Sequence, residues 1–289
     1  KDCPFCPGNE KSTPAPVLTA GGKADWRVRV VPNKFPVLIP SAPQVPDATP
    51  YKSLPGEGIH EVIVDTPRHD LSLALMEPAA VDELVGAYEA RFNKTLENEK
   101  VSLTMLFKNH GAAAGTSLDH PHTQLIASSI VPAYIRHRMD EAEKYYRQKA
   151  ECVFCAMLRE ELRQKTRIVA ENQHFCAFVL FAALSPFHIW ILPKVHTPSF
   201  GFASEEIRKN FSAMLHLLLK KLHKGLNDPP YNFVVQSTPL DRGVTEGFHW
   251  YMSLVVRTSR AAGFELGSGM FVNTAVPEAS AKFLNSISV

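Results

Sequence analysis

The sequence predicts an α+β protein made of two similar halves in tandem, residues 1–140 and residues 141–289. Three observations predict this class. A C-x-x-C pair opens each half, alternating apolar residues typical of β-strands follow each pair, and an amphipathic helical pattern comes later in each half. Each half then closes on a strand-like run that contains a histidine, so the order strand, strand, helix, strand occurs twice.

The composition is that of a globular chain. Of the 289 residues, 45% are hydrophobic and 21% are charged, enough for a substantial core and for about two domains of ordinary size. No apolar run approaches the roughly 18 to 20 residues that a membrane helix needs, so we expect no membrane span. The net charge is only +2 and the sequence contains no basic block, which argues against nucleic acid as a partner.

Cysteine usage predicts metal binding. Four of the five cysteines form the pairs Cys3/Cys6 and Cys152/Cys155, and this spacing is more often metal-binding or redox-active than part of a disulfide framework. Cys176 is left over, and we expect it to be buried. Thiolates must stay reduced to hold a metal, and the printed sequence contains no cleavable signal pattern, so we expect a cytoplasmic protein.

The first half begins with the strand-like run "RVRVVPNKFPVL", which a proline-rich and therefore irregular connection joins to a second strand, "HEVIVD". A proline and then His69 follow that second strand. The next segment is an amphipathic helix with apolar residues three and four apart: Val81, Leu84, Val85, Tyr88, Phe92 and Leu96. The half ends on "SLDHPHTQLIA", which reads as a further strand.

The second half repeats this order. "RIVAENQHFCAFVL" matches the first strand-like run, and "FHIWILPKVHTPS", which contains His196, matches the second strand with its histidine. The helical stripe comprises Ile207, Phe211, Met214, Leu215, Leu218 and Leu222. "EGFHWYMSLVV" matches the last strand and pairs His249 with His120.

The repeated order Cys, Cys, His, His predicts two zinc sites. The two histidines are 51 residues apart in the first half (69 to 120) and 53 in the second (196 to 249). Thiolate and imidazole are preferred zinc ligands, and four protein ligands leave no open coordination position, so both metals would be structural. The predicted ligands are Cys3, Cys6, His69 and His120 in one site and Cys152, Cys155, His196 and His249 in the other. Further histidines lie near these segments, and His188 is a rival to His196.

The stretch "SLDHPHTQL" carries the candidate chemistry. In an extended chain His120, His122 and Gln124 share one face, and Pro121 suits the first residues of a strand or an edge strand. An isolated histidine is more often a satisfied structural residue. With His120 on a metal, however, the imidazole of His122 is left free as a nucleophile. The preceding loop is "NHGAAAGTS". Its small residues, up to Gly115, allow backbone N–H groups to come close to a phosphate, and Thr116 and Ser117 add hydroxyl donors.

These motifs resemble the galactose-1-phosphate uridylyltransferase family of the histidine-triad superfamily. The resemblance runs through "CPFCPGNE", "VPNKFPVL", "TPRHD", "NHGAAAGTSLDHPHTQ", "PKVH" and "GFELGSG". It implies two histidine-triad-like halves, each an antiparallel sheet with packed helices. It also implies that His122 becomes covalently nucleotidylated. Gln124 would hydrogen-bond a phosphoryl oxygen, where hydrolase relatives have a third histidine, so the glutamine favours transfer over hydrolysis.

The resemblance implies further ligand contacts. Asn33, Asn109 and Ser117 resemble the family's nucleotide contacts, and Glu265 resembles the acidic residue that binds sugar hydroxyls. Tyr251 stands where the first half has His122, so the second half would lack a nucleophile and would serve as scaffold and sugar-site partner. A homodimer is implied as well.

The sequence also departs from the family. In some members the second metal site uses a histidine pair at positions that are Ser253 and Val255 here. The second C-x-x-C with its two histidines instead resembles the branch that includes plant ADP-glucose phosphorylase. An arginine that the family places near the phosphates, before the first cysteines, is not in the printed sequence.

Three hypotheses for function remain open at this point. The first is a uridylyltransferase acting on UDP-glucose and galactose 1-phosphate, and the second keeps His122 but uses ADP-glucose with inorganic phosphate as acceptor. The third, from another class, is a zinc-stabilised binding module without catalysis. No residue type in the sequence distinguishes a uracil pocket from an adenine pocket.

Overall fold

A computed structural model describes residues 3–22, 25–239, 246–260 and 262–289. The described residues contain strands β1 (Leu18–Gly21), β2 (Trp26–Pro32), β3 (Gly58–Val64), β4 (Leu103–His110), β5 (His122–Ser128), β6 (Ile168–Glu171), β7 (Phe175–Val179), β8 (Ile189–Pro193), β9 (Tyr231–Gln236) and β10 (Tyr251–Val256). The helices are α1 (Pro78–Leu96), α2 (Ala133–Lys149), α3 (Val153–Gln164), α4 (Glu205–Leu226), α5 (Gly263–Ser268) and α6 (Pro277–Ser286). None of these helices has the combination of length and apolarity that crossing a bilayer requires.

The strands form one antiparallel sheet in the order β1-β2-β3-β5-β4-β9-β10-β8-β7-β6. β4 and β9 are neighbours at its centre, and the order of equivalent strands on either side is the same, so the two halves share a single sheet. This arrangement confirms the predicted α+β class with duplicated antiparallel halves and packed helices. The predicted boundary after residue 140 falls within α2, and the division into two domains stays a prediction.

One face of the sheet carries the main core. The apolar stripes predicted for α1 and α4 pack there against alternate residues of the strands; Leu84, Tyr88, Phe211 and Leu218 are fully buried, and the end residues Leu96 and Ile207 are partly buried. The removal of this apolar surface from water supplies the main favourable term in folding.

The opposite face carries smaller clusters, at its two ends and over the Leu103 end of β4. Phe5 packs on Val31 and Val62 at the first end, and residues of α2 and α3 pack on Trp190 and Tyr251 at the other. Strands β5, β4, β9 and β10 lie between these two covers, and the alternation of side chains directs His122 and Gln124 to this face. The second face is therefore where a ligand can approach the centre of the sheet.

Candidate active site and metal centres

The candidate site lies where two strands of the sheet separate. β4 and β5 are paired from Leu103–Ser128 to Phe107–Gln124, whereas β4 stays paired with β9 as far as His110–Tyr231. The loop 111–121 crosses the gap, and β5 begins at His122, directly after Pro121. Because proline has no N–H to give to a ladder, it fits at this boundary. The prediction that Pro121 marks the start of a strand is confirmed, and the alternative of an edge strand is wrong, since β5 lies between β3 and β4.

A cavity of about 290 Å³ opens at this gap, and His122 lines it. The other lining residues belong to the end of β4, to the following loop and to the segment before β9. They include Lys108, Asn109, His110, Gly111, Thr116, His120 and Asp228.

The ring of His122 has a defined orientation. Its Nδ1–H donates a hydrogen bond of 2.8 Å to the carbonyl oxygen of His120, so Nε2 is the nitrogen that keeps a lone pair for reaction. The residue is only 6% exposed. Burial, and secondarily the charge of Lys108, lower the pKa of His122 below that of a free imidazole, so the neutral, nucleophilic form is favoured at neutral pH.

Gln124 is oriented by a histidine on the neighbouring strand. The backbone N–H of Val37 donates to Nδ1 of His60 at 3.2 Å, so Nε2 of His60 carries the proton and donates to Oε1 of Gln124 at 2.9 Å. Burial lowers the pKa of His60, which keeps this arrangement neutral. With its oxygen occupied, the amide of Gln124 has its N–H groups left to donate. Asn33 lies beside this pair, with Nδ2 at 3.1 Å from Nε2 of His60.

The loop after β4 approaches the cavity with its backbone. Gly111 and Gly115 adopt φ values of 80° and 86°, a region that favours glycine, and they enclose a single 3-10 turn over Ala112–Ala114. Nδ2 of Asn232 donates to Oδ1 of Asn109 at 2.7 Å and to the carbonyl of Ala114 at 2.9 Å. Asn232 thus joins the second half to this loop and leaves the Asn109 amide nitrogen available to a ligand.

The remaining predicted ligand residues are dispersed. Thr116 lines the His122 cavity, but its hydroxyl donates to the carbonyl of Leu118 at 2.9 Å, and Ser117 is exposed. Glu265 lines a second cavity of about 460 Å³, which meets the first one at Asn109. The described structure therefore brings Glu265 to a neighbouring cavity and not beside His122. The roles of all these residues stay predictions.

The four predicted ligands of the first metal site come together. Their ligand atoms lie within 4.8 Å of one another, with Cys6 Sγ 3.5 Å from His69 Nδ1 and 3.6 Å from His120 Nδ1. A tetrahedral zinc with the usual bond lengths places S and N ligands about 3.6 Å apart, so the donor set fits that metal. Nε2 of His120 donates to the carbonyl of Thr66 at 2.8 Å, which leaves Nδ1 unprotonated for coordination.

The second predicted set forms an equivalent cluster. Cys155 Sγ lies 3.3 Å from His196 Nδ1 and 3.5 Å from His249 Nδ1, and the group includes Cys152. A hydrogen bond from Cys155 lowers the pKa of Cys152 to about 6, and burial lowers the pKa of His249 to about 3. Both residues thus favour the deprotonated state that a metal requires. Nε2 of His249, unlike that of His120, is buried with no hydrogen-bond partner among the described residues.

His188, the rival to His196, lies elsewhere. Its Nδ1 accepts the N–H of Leu184 at 3.2 Å and its Nε2 lies 2.8 Å from Oγ of Ser253, which repeats in the second half the geometry of His60 and Gln124. His196 is therefore the histidine of the second cluster. All five cysteines are free thiols, and Cys176 is buried as predicted.

Several residues of the site were not predicted. His60 is one of the further histidines near the predicted metal ligands, and the sequence predicts no role for it. Its position on the same face as Gln124 depends on the pairing of β3 with β5, for which the sequence has no local signal. The same holds for Asp65 and Lys108, whose side chains meet behind β5 at 2.5 Å.

Comparison with known proteins agrees with this geometry. The profile for the N-terminal domain of galactose-1-phosphate uridyl transferase matches residues 1–132, and that of a domain of unknown function, DUF4921, matches residues 85–286. ADP-glucose phosphorylase of Arabidopsis thaliana is 33% identical over 296 residues, covering 99% of this chain and 82% of the relative. The chain belongs to the galactose-1-phosphate uridylyltransferase family. The resemblance inferred from the motifs is thereby confirmed.

Other members of the family extend the comparison. Galactose-1-phosphate uridylyltransferase of Thermotoga maritima is 27% identical over 295 residues, covering 98% of this chain and 92% of the relative. The crystal structure of an Arabidopsis thaliana ADP-glucose phosphorylase with bound ADP-glucose superposes with a TM-score of 0.88 at 30% identity, covering 100% of this chain and 92% of that one. Membership in this enzyme family argues against a binding module without catalysis.

Proposed function

We propose that this nucleotidyltransferase of the uridylyltransferase family works through a covalent nucleotidyl-His122 intermediate. The observation that carries the proposal is the orientation of His122, whose Nδ1–H is held by the His120 carbonyl while the ring lines the loop cavity. This arrangement leaves Nε2 as a neutral nucleophile beside small residues that accommodate a phosphate.

The reaction consists of two displacements at phosphorus. Nε2 of His122 attacks the α-phosphorus of a nucleotide-sugar, the bond from that phosphorus to the bridging oxygen breaks, and the sugar 1-phosphate leaves with the electron pair. An oxygen of a second phosphate then attacks the same phosphorus, the P–N bond breaks, and neutral His122 is restored. The amide of Gln124, oriented by His60, donates a hydrogen bond to a phosphoryl oxygen in both steps.

The two metal clusters have a structural role in this proposal. We propose zinc as the ion in both, because two thiolates and two imidazoles in tetrahedral spacing suit it. The first cluster holds the backbone of His120, and through it the ring of His122. The second cluster ties the start of α3 to the segments that carry His196 and His249.

Two donors are compatible with this chemistry. UDP-glucose with galactose 1-phosphate is the pair implied by the family name that the first profile carries. ADP-glucose with inorganic phosphate as acceptor is favoured by the 33% identity with ADP-glucose phosphorylase, against 27% for the Thermotoga uridylyltransferase. We propose a cytoplasmic enzyme, because its metal-binding thiols are reduced, and a homodimer, which size-exclusion chromatography with light scattering will test.

A labelling experiment tests the intermediate and the donor together. The protein is incubated separately with UDP-glucose and with ADP-glucose, each labelled at the α-phosphorus, and bound label is tested for the acid lability and base stability of a phosphoramidate. We expect label from one donor, and its release by the matching acceptor. A folded, metal-loaded protein that takes no label from either donor would contradict the proposal.

A further inference from the structure

We propose that Lys108 and Asp65 are positioning residues that hold the nucleophilic strand segment 121–123 in place from behind. This inference rests on the proposed function, because it assigns a task to residues that contact the backbone of His122 and its neighbours; Lys108 also lines the cavity. It concerns a buried ion pair on the helix-covered side of β5.

Asp65 and Lys108 contact three consecutive residues. The backbone N–H of Asp65 donates to the carbonyl of Pro121 at 3.1 Å, and the side chain of Asp65 accepts from the hydroxyl of Thr123 at 3.0 Å. Nζ of Lys108 donates to the carbonyl of His122 at 2.9 Å. Asp65 and Lys108 therefore bind all three residues, His122 and Thr123 through the side chains of the ion pair and Pro121 through the backbone of Asp65.

The separation of the strands explains why such a pair is needed. Beyond Phe107–Gln124 the described β4 no longer pairs with β5, so the His122 carbonyl has no ladder partner from β4. A buried carbonyl left without a hydrogen-bond partner would destabilise the fold. The ammonium of Lys108 supplies the hydrogen bond that a backbone N–H of β4 would otherwise donate to this carbonyl. The strands can therefore separate and open the cavity while the backbone of His122 stays fixed.

The pair is costly for a purely structural element. The side chains of Lys108 and Asp65 are 1% and 0% exposed, and Nζ lies 2.5 Å from Oδ2. Two well-packed apolar residues are often as stable as such a pair, because desolvation of both charges offsets their attraction. Oδ1 of Asp65 is in addition contacted by the hydroxyl of Tyr88 at 3.4 Å, which connects the pair to α1. A need to hold the backbone of residues 121–123 in one geometry explains why a charged pair, and not an apolar one, occupies this position.

The test compares two double variants with the wild-type protein. Lys108→Met/Asp65→Asn removes both charges together, which avoids leaving either of them buried and unpaired. Arg91→Met/Glu61→Gln is the control: it removes a second, largely buried ion pair, between α1 and β3, whose side chains are 13% and 5% exposed. Glu61 lies opposite Leu125 in the sheet and is not among the residues that bind 121–123.

The readouts are the single-turnover rate constant for nucleotidylation of His122, the donor concentration that gives half of that rate, and the metal content. For Lys108→Met/Asp65→Asn we expect a rate constant about 10- to 100-fold lower, as for a misplaced reacting group. The donor concentration that gives half of the maximal rate should change less than about threefold. Both metals should be retained. The control should unfold at a lower temperature while keeping its rate constant within about twofold of wild type.

Four results would overturn the inference. They are a wild-type rate in Lys108→Met/Asp65→Asn, a rise in half-saturation that accounts for its slower labelling, an equal loss of rate in the control, and loss of metal from the positioning variant. A wild-type protein that accepts label from neither donor would overturn the proposed function, and this inference with it. Slow labelling confined to Lys108→Met/Asp65→Asn at unchanged half-saturation would support it.

Discussion

His122 donates its Nδ1–H to the backbone carbonyl of His120, and the side chain of His120 belongs to the first Cys2His2 cluster. The candidate nucleophile is thus one hydrogen bond away from a predicted metal ligand. We therefore expect two histidines separated only by Pro121 to have different tasks: Nδ1 of His120 would bind the metal, and Nε2 of His122 would attack the substrate.

This relationship predicts a separation of labelling from metal content. His122→Ala should abolish covalent label and keep two metal ions per chain, because its ring is not a ligand. His120→Ala should lose one metal ion and label more slowly, because the cluster then lacks its buried ligand. Metal analysis of both purified variants decides this, and equal metal loss from the two would contradict the division of roles.

The pH dependence of labelling follows from the burial of His122. Burial, followed by the charge of Lys108, lowers the pKa of this imidazole, so it stays unprotonated at pH values where a free histidine becomes charged. At pH 6 an imidazole with the ordinary pKa near 6.5 would be only about one-quarter neutral. We expect the single-turnover rate at pH 6 to stay above the roughly one-quarter of its pH 7.5 value that an ordinary imidazole would give. A fourfold fall over that interval, with metal content unchanged, would contradict this prediction.

Gln124 should govern the fate of the nucleotide. Gln124→His replaces an amide that only donates to phosphoryl oxygen by an imidazole that can also exchange a proton. The fraction of adduct lost to water should therefore rise relative to the fraction transferred to the acceptor, as measured by chromatography of the released nucleotide. Gln236→His, on β9, is the control, because it makes the same chemical change at a different strand. An unchanged ratio of hydrolysis to transfer in Gln124→His would remove this role.

The two metal clusters should differ in affinity. Nε2 of His120 donates to the Thr66 carbonyl, whereas Nε2 of His249 is buried without a partner among the described residues. Because loss of such a supporting bond typically weakens metal binding about 10- to 100-fold, a chelator should remove the second metal first. That first loss should lower the unfolding temperature and leave His122 labelling largely intact.

The assignment of these two phases can be checked with one variant for each cluster. Cys155→Ser should lack the fast phase of metal release and Cys6→Ser the slow one, when release is followed with a chromogenic chelator. Release of both ions in one phase, or loss of labelling together with the first ion, would contradict the predicted order.

Much of this site follows from the sequence because the chain repeats itself. The spacing of Cys3, Cys6, His69 and His120 recurs in the second half, and thiolate with imidazole is a donor set with few alternative uses, so the sequence alone predicts both clusters. The apolar stripes of α1 and α4 likewise define their buried faces through a local periodicity. The free position of His122 followed from the assignment of His120 to the metal.

Only the tertiary structure decided the contacts that orient the reacting groups. His60 reaches Gln124, and Asp65 reaches Lys108 and Thr123, because β3 pairs with β5 while β4 departs from it. Strand pairing joins residues 43 to 64 positions apart here, and no local pattern of side chains specifies which strands will be neighbours. The sequence by itself therefore predicted the metal ligands, the repeat and the nucleophile, whereas long-range pairing determined how His122 is held.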